Sequence, residues 1–322
     1  MMTGTKLTVA MSESDRTLRL LNGVKPLTGF ELDVQQESIE EIFVKQISQA
    51  SYDVSELSLA SYLIAKGGGD TRLTAIPAFL SRSFRHNAIY VRSDSPYTHP
   101  SELKGKRFGF PEFQMTAAVW VRGMFRHEWG IANEEMEWFT FRPERVPVDI
   151  PATLTEGDIF EALAEGKVDA IMTARRPPAK LFPASGEGGV LRRLFPDVWN
   201  VEREYYGRTG IFPIMHLVSL KAETVEQFPE LPKQLYELMR EIKDEGIAGL
   251  LETIRNATSN PFVWESVEQS AKLMNGDMWP YGVSANWAQI ETFITYLQED
   301  GLLDRSFTPK PQEVFHSSVQ NT

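Results

Sequence analysis

The N-terminal third of the chain alternates short apolar runs with a segment of helical periodicity. Short strands are predicted at residues 7–11, 31–35, 53–59 and 73–79. Residues 38–41 have the pattern of a capping box that opens a helix. Apolar side chains then recur at helical spacing at Ile39, Ile42, Phe43, Ile47 and Ala50. Strand, helix and strand in this order predict an α/β unit whose sheet is mainly parallel.

A second α/β unit follows in the middle of the chain. Strands are predicted at residues 108–110 and 168–173, with a helix from about residue 115 to Gly130. A second capping box at Asp158 opens a helix that ends at Gly166. Residues 142–155 contain three prolines, which predicts an irregular segment. Beyond this unit, helices are predicted at residues 235–243, 266–274 and 286–298.

Two apolar strands, near residues 90 and 215, bracket the second unit. This arrangement is typical of a chain that crosses to a second lobe and returns, so that the crossings form a hinge. We therefore expect one lobe from residues 1–92 and 213–322 and another from residues 93–212. The cleft between the lobes is the expected ligand site.

The composition is that of an ordinary globular protein, with 42% hydrophobic and 24% charged residues. The net charge of −11 argues against a nucleic-acid partner, and any anion site must be a local basic pocket. Cysteine is absent, which excludes disulfides, thiolate nucleophiles and cysteine-ligated metal sites.

The first ten residues (MMTGTKLTVA) have no apolar core after a basic start, and no apolar run approaches a membrane span. We therefore expect a cytoplasmic protein without a membrane partner, unless an export signal has been removed. The sequence leaves the oligomeric state open, and a homo-oligomer is one of the outcomes.

Residues 81–92 (SRSFRHNAIYVR) combine three arginines and a histidine around the start of an apolar strand. A buried guanidinium needs a carboxylate, a phosphate or a ring face as its partner. Histidine is the side chain best suited to moving a proton near neutral pH. This combination predicts a pocket for an anionic substrate with an acid–base group beside it.

Several segments resemble the 4,5-dihydroxyphthalate decarboxylase family, and they occur in the same order from about residue 50 onwards. These segments are DVSELSL (53–59), AIPAFLSRSFRHNAIYV (75–91), GFPEFQMTAAVW (109–120), YYGRTGIFPIMH (205–216) and DMWPYG (277–282). The resemblance implies an α/β, two-lobed fold similar to type 2 periplasmic binding proteins, with two hinge crossings and a central cleft. It also implies a cofactor-independent carboxy-lyase acting on a hydroxylated, phthalate-like aromatic acid.

Such a decarboxylation needs a proton donor at the ring carbon that carries the carboxylate. His86 is the first candidate for this role, or for deprotonating a ring hydroxyl; alternatively, it only satisfies backbone groups at the crossing. His216 lies in the returning strand and either faces the same cleft or packs within the strand. Glu56 ends a first-lobe strand, where it would orient a histidine, accept a ring hydroxyl, or pair with Arg82 or Arg85.

The reaction also needs cationic groups for the carboxylates and a wall for the ring. One of Arg82 and Arg85 is expected to reach the cleft, while Arg175 closes from the opposite wall. Trp279 and Tyr281 would form an aromatic wall or, alternatively, a rigid turn. The helix that starts after Gln114 would favour an anion at its N-terminus. The complete predicted substrate-binding set is Arg82, Arg85, Ser58, Gln114, Met115, Thr116, Arg175, Trp279 and Tyr281.

A metal is not required by the sequence, because no His-x-His, His-Glu-x-x-His or Asp-rich loop occurs. A divalent-metal site assembled from His86, His216 and Glu56 across the fold stays open. The alternative function is a solute-binding protein that traps a small aromatic or aliphatic carboxylate without catalysis. A pure binder needs only the cations, whereas an enzyme also needs a proton donor at the bound ring.

Overall fold

The structure, a computed structural model, describes residues 4–257 and 259–322, and the side chains of all of these except 253–257. The strands are β1 (Thr5–Ala10), β2 (Phe30–Val34), β3 (Val54–Ser58), β4 (Leu73–Arg82), β5 (Ile89–Arg92), β6 (Arg107–Phe110), β7 (Glu137–Thr140), β8 (Thr153–Leu154), β9 (Ala170–Met172), β10 (Leu191–Arg193) and β11 (Ile214–Lys221). The helices are α1 (Leu18–Leu21), α2 (Ile39–Gln49), α3 (Leu59–Gly67), α4 (Thr116–His127), α5 (Ile159–Ala164), α6 (Val198–Thr209), α7 (Ala222–Gln227), α8 (Leu231–Ala257), α9 (Val263–Leu273), α10 (Trp287–Glu299) and α11 (Pro311–Val314).

These strands form two separate sheets. The first sheet has the order β2-β1-β3-β11-β4, in which β1 is parallel to both neighbours and β11 is antiparallel to both of its neighbours. The second sheet has the order β10-β5-β9-β6-β7-β8. Strands β9, β6, β7 and β8 pair parallel with one another. Strand β5 pairs antiparallel with β9, and β10 pairs antiparallel with β5. The predicted α/β class with mainly parallel pairing follows from the βαβ connections.

The chain passes between the sheets twice. It leaves the first sheet at Arg82 and joins the second at Ile89, through residues 83–88, which we call the crossing turn. It returns between Thr209, where α6 ends, and Ile214. The strand near residue 90, β5, pairs within the second sheet, with β9 and β10. The lobe boundaries themselves stay a prediction.

Helix α4 ties the second sheet to helix α10. Arg122 is fully buried, lies 3.6 Å from the centre of the Phe113 ring and donates to Asp300 at 2.6 Å. A Cβ atom at Gly123 would lie 2.0 Å from the Tyr296 ring, so only glycine allows this close helix approach. A buried ion pair and a glycine contact together fix the orientation of α4, whose N-terminal end lies between the sheets.

Among residues 4–257 and 259–322, none of the helices combines the length and apolar character that a bilayer span requires.

Candidate active site

The central cavity, of about 340 Å³, lies between the two sheets. Helix α2, the ends of β3 and β4, and His216 of β11 form the wall on the side of the first sheet. The start of α4, Arg142, Arg145 and Ala174 form the wall on the side of the second sheet. This volume accommodates a substituted single ring. The cavity is therefore the predicted cleft.

A histidine–carboxylate pair faces this cavity from the first sheet. In the antiparallel β3–β11 pair, His216 lies opposite Ser58, so Glu56 is its diagonal neighbour on the same face. The register of β11 with β4 shifts on both sides of His216, which is the local irregularity that re-aims a side chain. His216 Nδ1 and Glu56 Oε1 are 2.6 Å apart. The pair is thus produced by strand register.

The surroundings keep Glu56 ionised and hold the histidine ring. Burial acts to raise the pKa of Glu56, but the hydrogen bond and charge of His216 and the Ser12 backbone N–H outweigh it and lower that pKa. The Phe43 ring packs edge-on against the imidazole, with ring centres 4.8 Å apart. With Nδ1 bound to the carboxylate, Nε2 is the nitrogen left for a ligand in the cavity.

Arg85 is the unpaired cation of this cavity. Its guanidinium is buried and donates to Met215 Sδ at 3.3 Å, and it forms no ion pair with the described residues. Burial lowers the pKa of Arg85 to about 10, although Glu202 acts in the opposite direction. A buried guanidinium without a carboxylate partner is suited to binding an anionic ligand.

Arg142 and Arg145 add positive charge from the second sheet. They lie in the segment of residues 141–152 between β7 and β8, which we call the β7–β8 segment. Both approach the buried Glu112, at 3.1 Å and 2.9 Å respectively. The carboxylate of Glu144 in turn accepts the backbone N–H groups of Phe113 and Gln114, which anchors the segment beside the start of α4.

The cavity is positive inside an acidic protein. Its lining carries Arg85, Arg142 and Arg145 against the carboxylate of Glu40, and Glu112 behind the lining pairs with Arg142 and Arg145. Because the whole chain has a net charge of −11, this balance is local. Such a lining favours a negatively charged ligand.

The N-terminus of α4 completes the wall. Met115, Thr116 and Ala117 line the cavity, and the first N–H groups of a helix favour an anion. The Thr116 and Ser58 hydroxyls are 2.9 Å apart, and Thr116 Oγ1 accepts the Ala60 N–H of α3. The structure thus brings together six of the predicted residues: Glu56, Ser58, Arg85, Met115, Thr116 and His216.

His86 lies elsewhere, which corrects its expected place in the cleft. It is 2% exposed and packs against the rings of Trp129, Phe195 and Tyr205, and its Nδ1 has no partner among the described residues. Burial, assisted by the charge of Arg208, lowers its pKa to about 4. The ring is neutral near pH 7 and does not line the cavity, so we do not assign His86 as the proton donor.

Four other predicted residues also lie outside the central cavity. Arg82 donates to Phe212 O and Pro280 O at 2.9 Å and 2.8 Å and to the side chain of Asn286. Trp279 donates to Phe79 O, and Tyr281 is buried in the core. Gln114 is buried as well, and its amide holds the backbone of Val146 in the β7–β8 segment. Their side chains support the fold around the cavity rather than line it.

Arg175 lies at an adjoining side cavity of about 210 Å³. Its side chain is 71% exposed and pairs with Glu40 of α2 at 2.6 Å. Glu40, Met115, Arg142 and Ala174 line both cavities, so the side cavity is continuous with the central one. Arg175 therefore reaches across from the second sheet to the first, as expected of a closing residue, but its partner is a carboxylate of the protein.

Arg142, Arg145 and Phe43 were not predicted as site residues. The signal was present as two arginines three residues apart in the proline-containing segment 142–155. The sequence of an irregular segment does not predict which way its side chains point, however, so these two arginines could not be placed in the cleft. Phe43 was assigned only to the buried face of α2.

Within the described part of the chain, no group of three or more histidine or acidic side chains is placed to hold a metal ion. Glu56 and His216 are together, but His86 does not join them.

Comparison with known proteins identifies the family. The 4,5-dihydroxyphthalate decarboxylase of Comamonas testosteroni is 32% identical over 323 residues, covering 97% of this chain and 96% of that protein. The chain belongs to the 4,5-dihydroxyphthalate decarboxylase family. A 4,5-dihydroxyphthalate decarboxylase of Pseudomonas putida is 34% identical over 183 residues, covering 53% of this chain and 71% of that protein. No protein-family model matches. The resemblance inferred from the ordered segments is confirmed, and with it membership of a family named for a carboxy-lyase.

Solved structures confirm the fold. The periplasmic aliphatic sulphonate binding protein SsuA of Escherichia coli superposes with a TM-score of 0.54 at 14% identity, covering 94% of this chain and 95% of that one. A periplasmic sulfonate-binding protein SsuA of Methylobacillus flagellatus gives a TM-score of 0.55 at 13% identity, covering 97% and 91%. At this identity the likeness concerns the fold alone, and it is the expected periplasmic-binding-protein-like fold.

Proposed function

We propose that this protein releases carbon dioxide from a hydroxylated phthalate-type acid in the central cavity. The observation that carries the proposal is the Glu56–His216 pair, at 2.6 Å, facing a cavity with three arginines. A phthalate has two adjacent carboxylates on one ring, which the three arginines of the cavity are placed to hold. The family name specifies the same substrate class for the relatives.

His216 is the proton donor in the proposed reaction. Glu56 holds Nδ1 and stabilises the imidazolium, so that Nε2–H can deliver its proton to the ring carbon bearing the leaving carboxylate. A hydroxyl para to that carbon donates electron density and avoids a free aryl anion. The carbon–carboxylate bond then breaks, its electron pair restores the aromatic ring, and carbon dioxide leaves. A proton from solvent recharges the histidine, so the reaction consumes one proton.

The arginines hold the substrate dianion in this scheme. Arg85 would bind the carboxylate that remains, because it forms no ion pair with the described residues, and the N-terminus of α4 lines the same cavity. Arg142 and Arg145 add positive charge on the other side of the ring. No step uses a cofactor or metal. The cytoplasmic location stays a prediction.

The test is release of carbon dioxide from a panel of aromatic acids. Purified protein is incubated with 4,5-dihydroxyphthalate, 4-hydroxyphthalate, phthalate and 3,4-dihydroxybenzoate. We expect turnover of the two hydroxylated phthalates and none of phthalate, which lacks the para hydroxyl. In heavy water, the product should carry deuterium at the carbon that lost its carboxylate, which NMR detects.

The competing function is a solute-binding protein for small carboxylates, which the fold alone would allow. The two functions differ in one observation, because a binder retains every member of the panel unchanged. Binding of 4,5-dihydroxyphthalate without any carbon dioxide release would favour the binding protein and reject the decarboxylase. Turnover with no deuterium at that carbon would reject the protonation step only.

A further inference from the structure

A rear cavity of about 400 Å³ lies on the other side of the crossing turn from Arg85. Ser83, Phe84 and Asn87 of the turn form one wall, and helices α8 and α9 form the opposite wall. Ser83 also lines the central cavity, so the two cavities are separated by the thickness of the turn. The volume is in the range of small-molecule sites.

Arg82 supplies a buried positive charge to this cavity. The residue is 5% exposed, and the hydrogen-bond acceptors of its guanidinium are Phe212 O, Pro280 O and the amide oxygen of Asn286, all neutral. Burial lowers the pKa of Arg82 to about 9, although Tyr281 and Asp277 act in the opposite direction. Arg82 and Arg85 are thus two buried arginines that form no ion pair with the described residues, one facing each cavity.

The other cations of the lining are paired. Arg16 pairs with Asp15, and Lys243 pairs with Asp244 at 2.6 Å and with Asp277 at 3.4 Å. Burial raises the pKa of Glu202 to about 7, so near neutral pH this carboxyl group opposes Arg82 less than a fully ionised one would. Within the described part of the chain, Arg82 is therefore the cation of this lining that has no ion pair.

Aromatic and aliphatic side chains form the rest of the lining. The Trp279 ring, with the Arg16 guanidinium 4.0 Å from its centre, lines the cavity together with Phe84 and Phe212. Val267 of α9 and Met274, which directly follows that helix, face them from the opposite wall. A flat ring between such walls would gain stacking and hydrophobic burial, while a single negative charge would neutralise the excess cation.

We propose that the rear cavity is a second binding site, which takes a small aromatic monocarboxylate. A dicarboxylate matches it less well than it matches the central cavity, because the central lining presents three arginines, whereas Arg82 is the one cation of the rear lining without an ion pair among the described residues. A ligand there would press on Ser83 and Asn87, and would therefore act on the turn that carries Arg85 into the central cavity. The inference does not depend on which reaction the central cavity performs.

The test uses 4-iodobenzoate as the probe, with calorimetry for stoichiometry and anomalous X-ray scattering for position. We expect two sites per chain in the wild-type protein, and an iodine peak between Trp279 and α9. Ser270→Trp and Met274→Trp place an indole into the rear cavity from α9 and should each remove one site. Glu268→Trp adds the same side chain to an exposed position of α9 and should retain both.

Other results would overturn the inference. A single site in the wild-type protein, with iodine only in the central cavity, rejects it. Two sites that persist in both cavity-filling variants also reject it, because the second site must then lie elsewhere. We further expect 4-iodobenzoate bound in the rear cavity to change the KM for the central-cavity substrate. This contribution should be present in Glu268→Trp, which retains the rear site, and absent from Ser270→Trp, which fills it. Equal effects of 4-iodobenzoate on KM in the two variants would reject the coupling.

Discussion

At the scale of single residues, the direction of a side chain determines which cavity it lines, and closeness in sequence does not. Arg82 and Arg85 are three positions apart, yet the end of β4 lies between them and they face different cavities. His86 follows Arg85 directly and is buried among rings. His216, which is distant in sequence, faces the same cavity as Arg85 because β11 pairs between β3 and β4.

The first prediction concerns the Glu56–His216 pair. We expect His216→Gln to reduce kcat by about 10²–10⁴-fold, the usual contribution of general acid catalysis, with little change in KM. Glu56→Gln should reduce kcat in the same direction, since it removes the charge that stabilises the imidazolium. Steady-state assays of carbon dioxide release measure both. His99→Gln, at an exposed position, is the control, and undiminished kcat in His216→Gln would refute the assignment.

The second prediction separates His86 from catalysis by pH. His86 has a folded-state pKa of about 4, below its ordinary value of 6.5. Between these values the unfolded chain takes up a proton that the folded protein does not, so acidification from about pH 6.5 to 4 lowers the unfolding free energy. His86→Gln should weaken this loss and keep kcat within a few-fold. Thermal unfolding at several pH values, together with turnover assays, tests both parts. A large fall in kcat with a normal melting temperature would restore His86 to the mechanism.

The sequence predicted the residue types around the cavity better than the individual side chains that line it. Histidine, glutamate and arginine were expected in the cleft, and the structure places His216 and Arg85 in the cavity lining and Glu56 in contact with His216. Gln114 and Trp279 were expected there too, but their polar groups bind the backbone of Val146 and Phe79. Whether a polar side chain finds a backbone partner depends on contacts made by distant segments, which no local pattern contains.

At the scale of elements, α4 depends on a buried ion pair with the end of α10. Asp300 is buried and pairs with both Arg122 and Arg126 at 2.6 Å. The neighbouring Glu299 pairs with Arg126 at the surface. The end of α10 therefore carries one buried carboxylate, Asp300, and one surface carboxylate, Glu299.

We expect Asp300→Ala to lower the unfolding free energy by about 3–5 kcal/mol, because it leaves a buried guanidinium unpaired. Glu299→Ala should cost less than about 1 kcal/mol, as surface pairs do. Urea denaturation of the two variants provides the comparison. Equal effects would show that burial does not determine the value of this ion pair.

Elements with a strong hydrophobic periodicity were predicted from the sequence, whereas elements that form through tertiary contacts were not. Helix α2 was predicted from its capping box, and the structure shows both capping bonds between Ser38 and Glu41. Helix α3 was missed because residues 59–64 are all buried and show no alternation of polar and apolar faces, and only Ser58 marks the change from strand to helix. Helix α6 was missed because Tyr205 is its one buried residue, so it has almost no apolar period.

At the scale of the whole molecule, the Glu40–Arg175 pair connects the two sides of the cavity at its exposed edge. Glu40 belongs to α2, which packs on the first sheet, and Arg175 follows β9 of the second. We expect Arg175→Ala to raise KM by less than about fivefold, because an exposed pair contributes at most about 1 kcal/mol.

The KM of the wild-type protein should also rise with salt, as screening weakens the pair, while that of Arg175→Ala should depend on salt less. Initial rates from 0.05 to 0.5 M sodium chloride measure this difference. An identical salt dependence in the two proteins would show that the pair plays no part in closing the cavity.

The position of Arg142 and Arg145 on the β7–β8 segment has a consequence for how this protein diversifies. The Glu56–His216 pair belongs to adjoining strands of the first sheet, whereas two of the three arginines that line the cavity belong to an irregular loop of the kind that tolerates sequence change. If the proposed function holds, exchange of that loop would alter which acids are accepted and leave the strands that carry the pair intact. Substrate range and bond-breaking chemistry can therefore evolve separately in this scaffold.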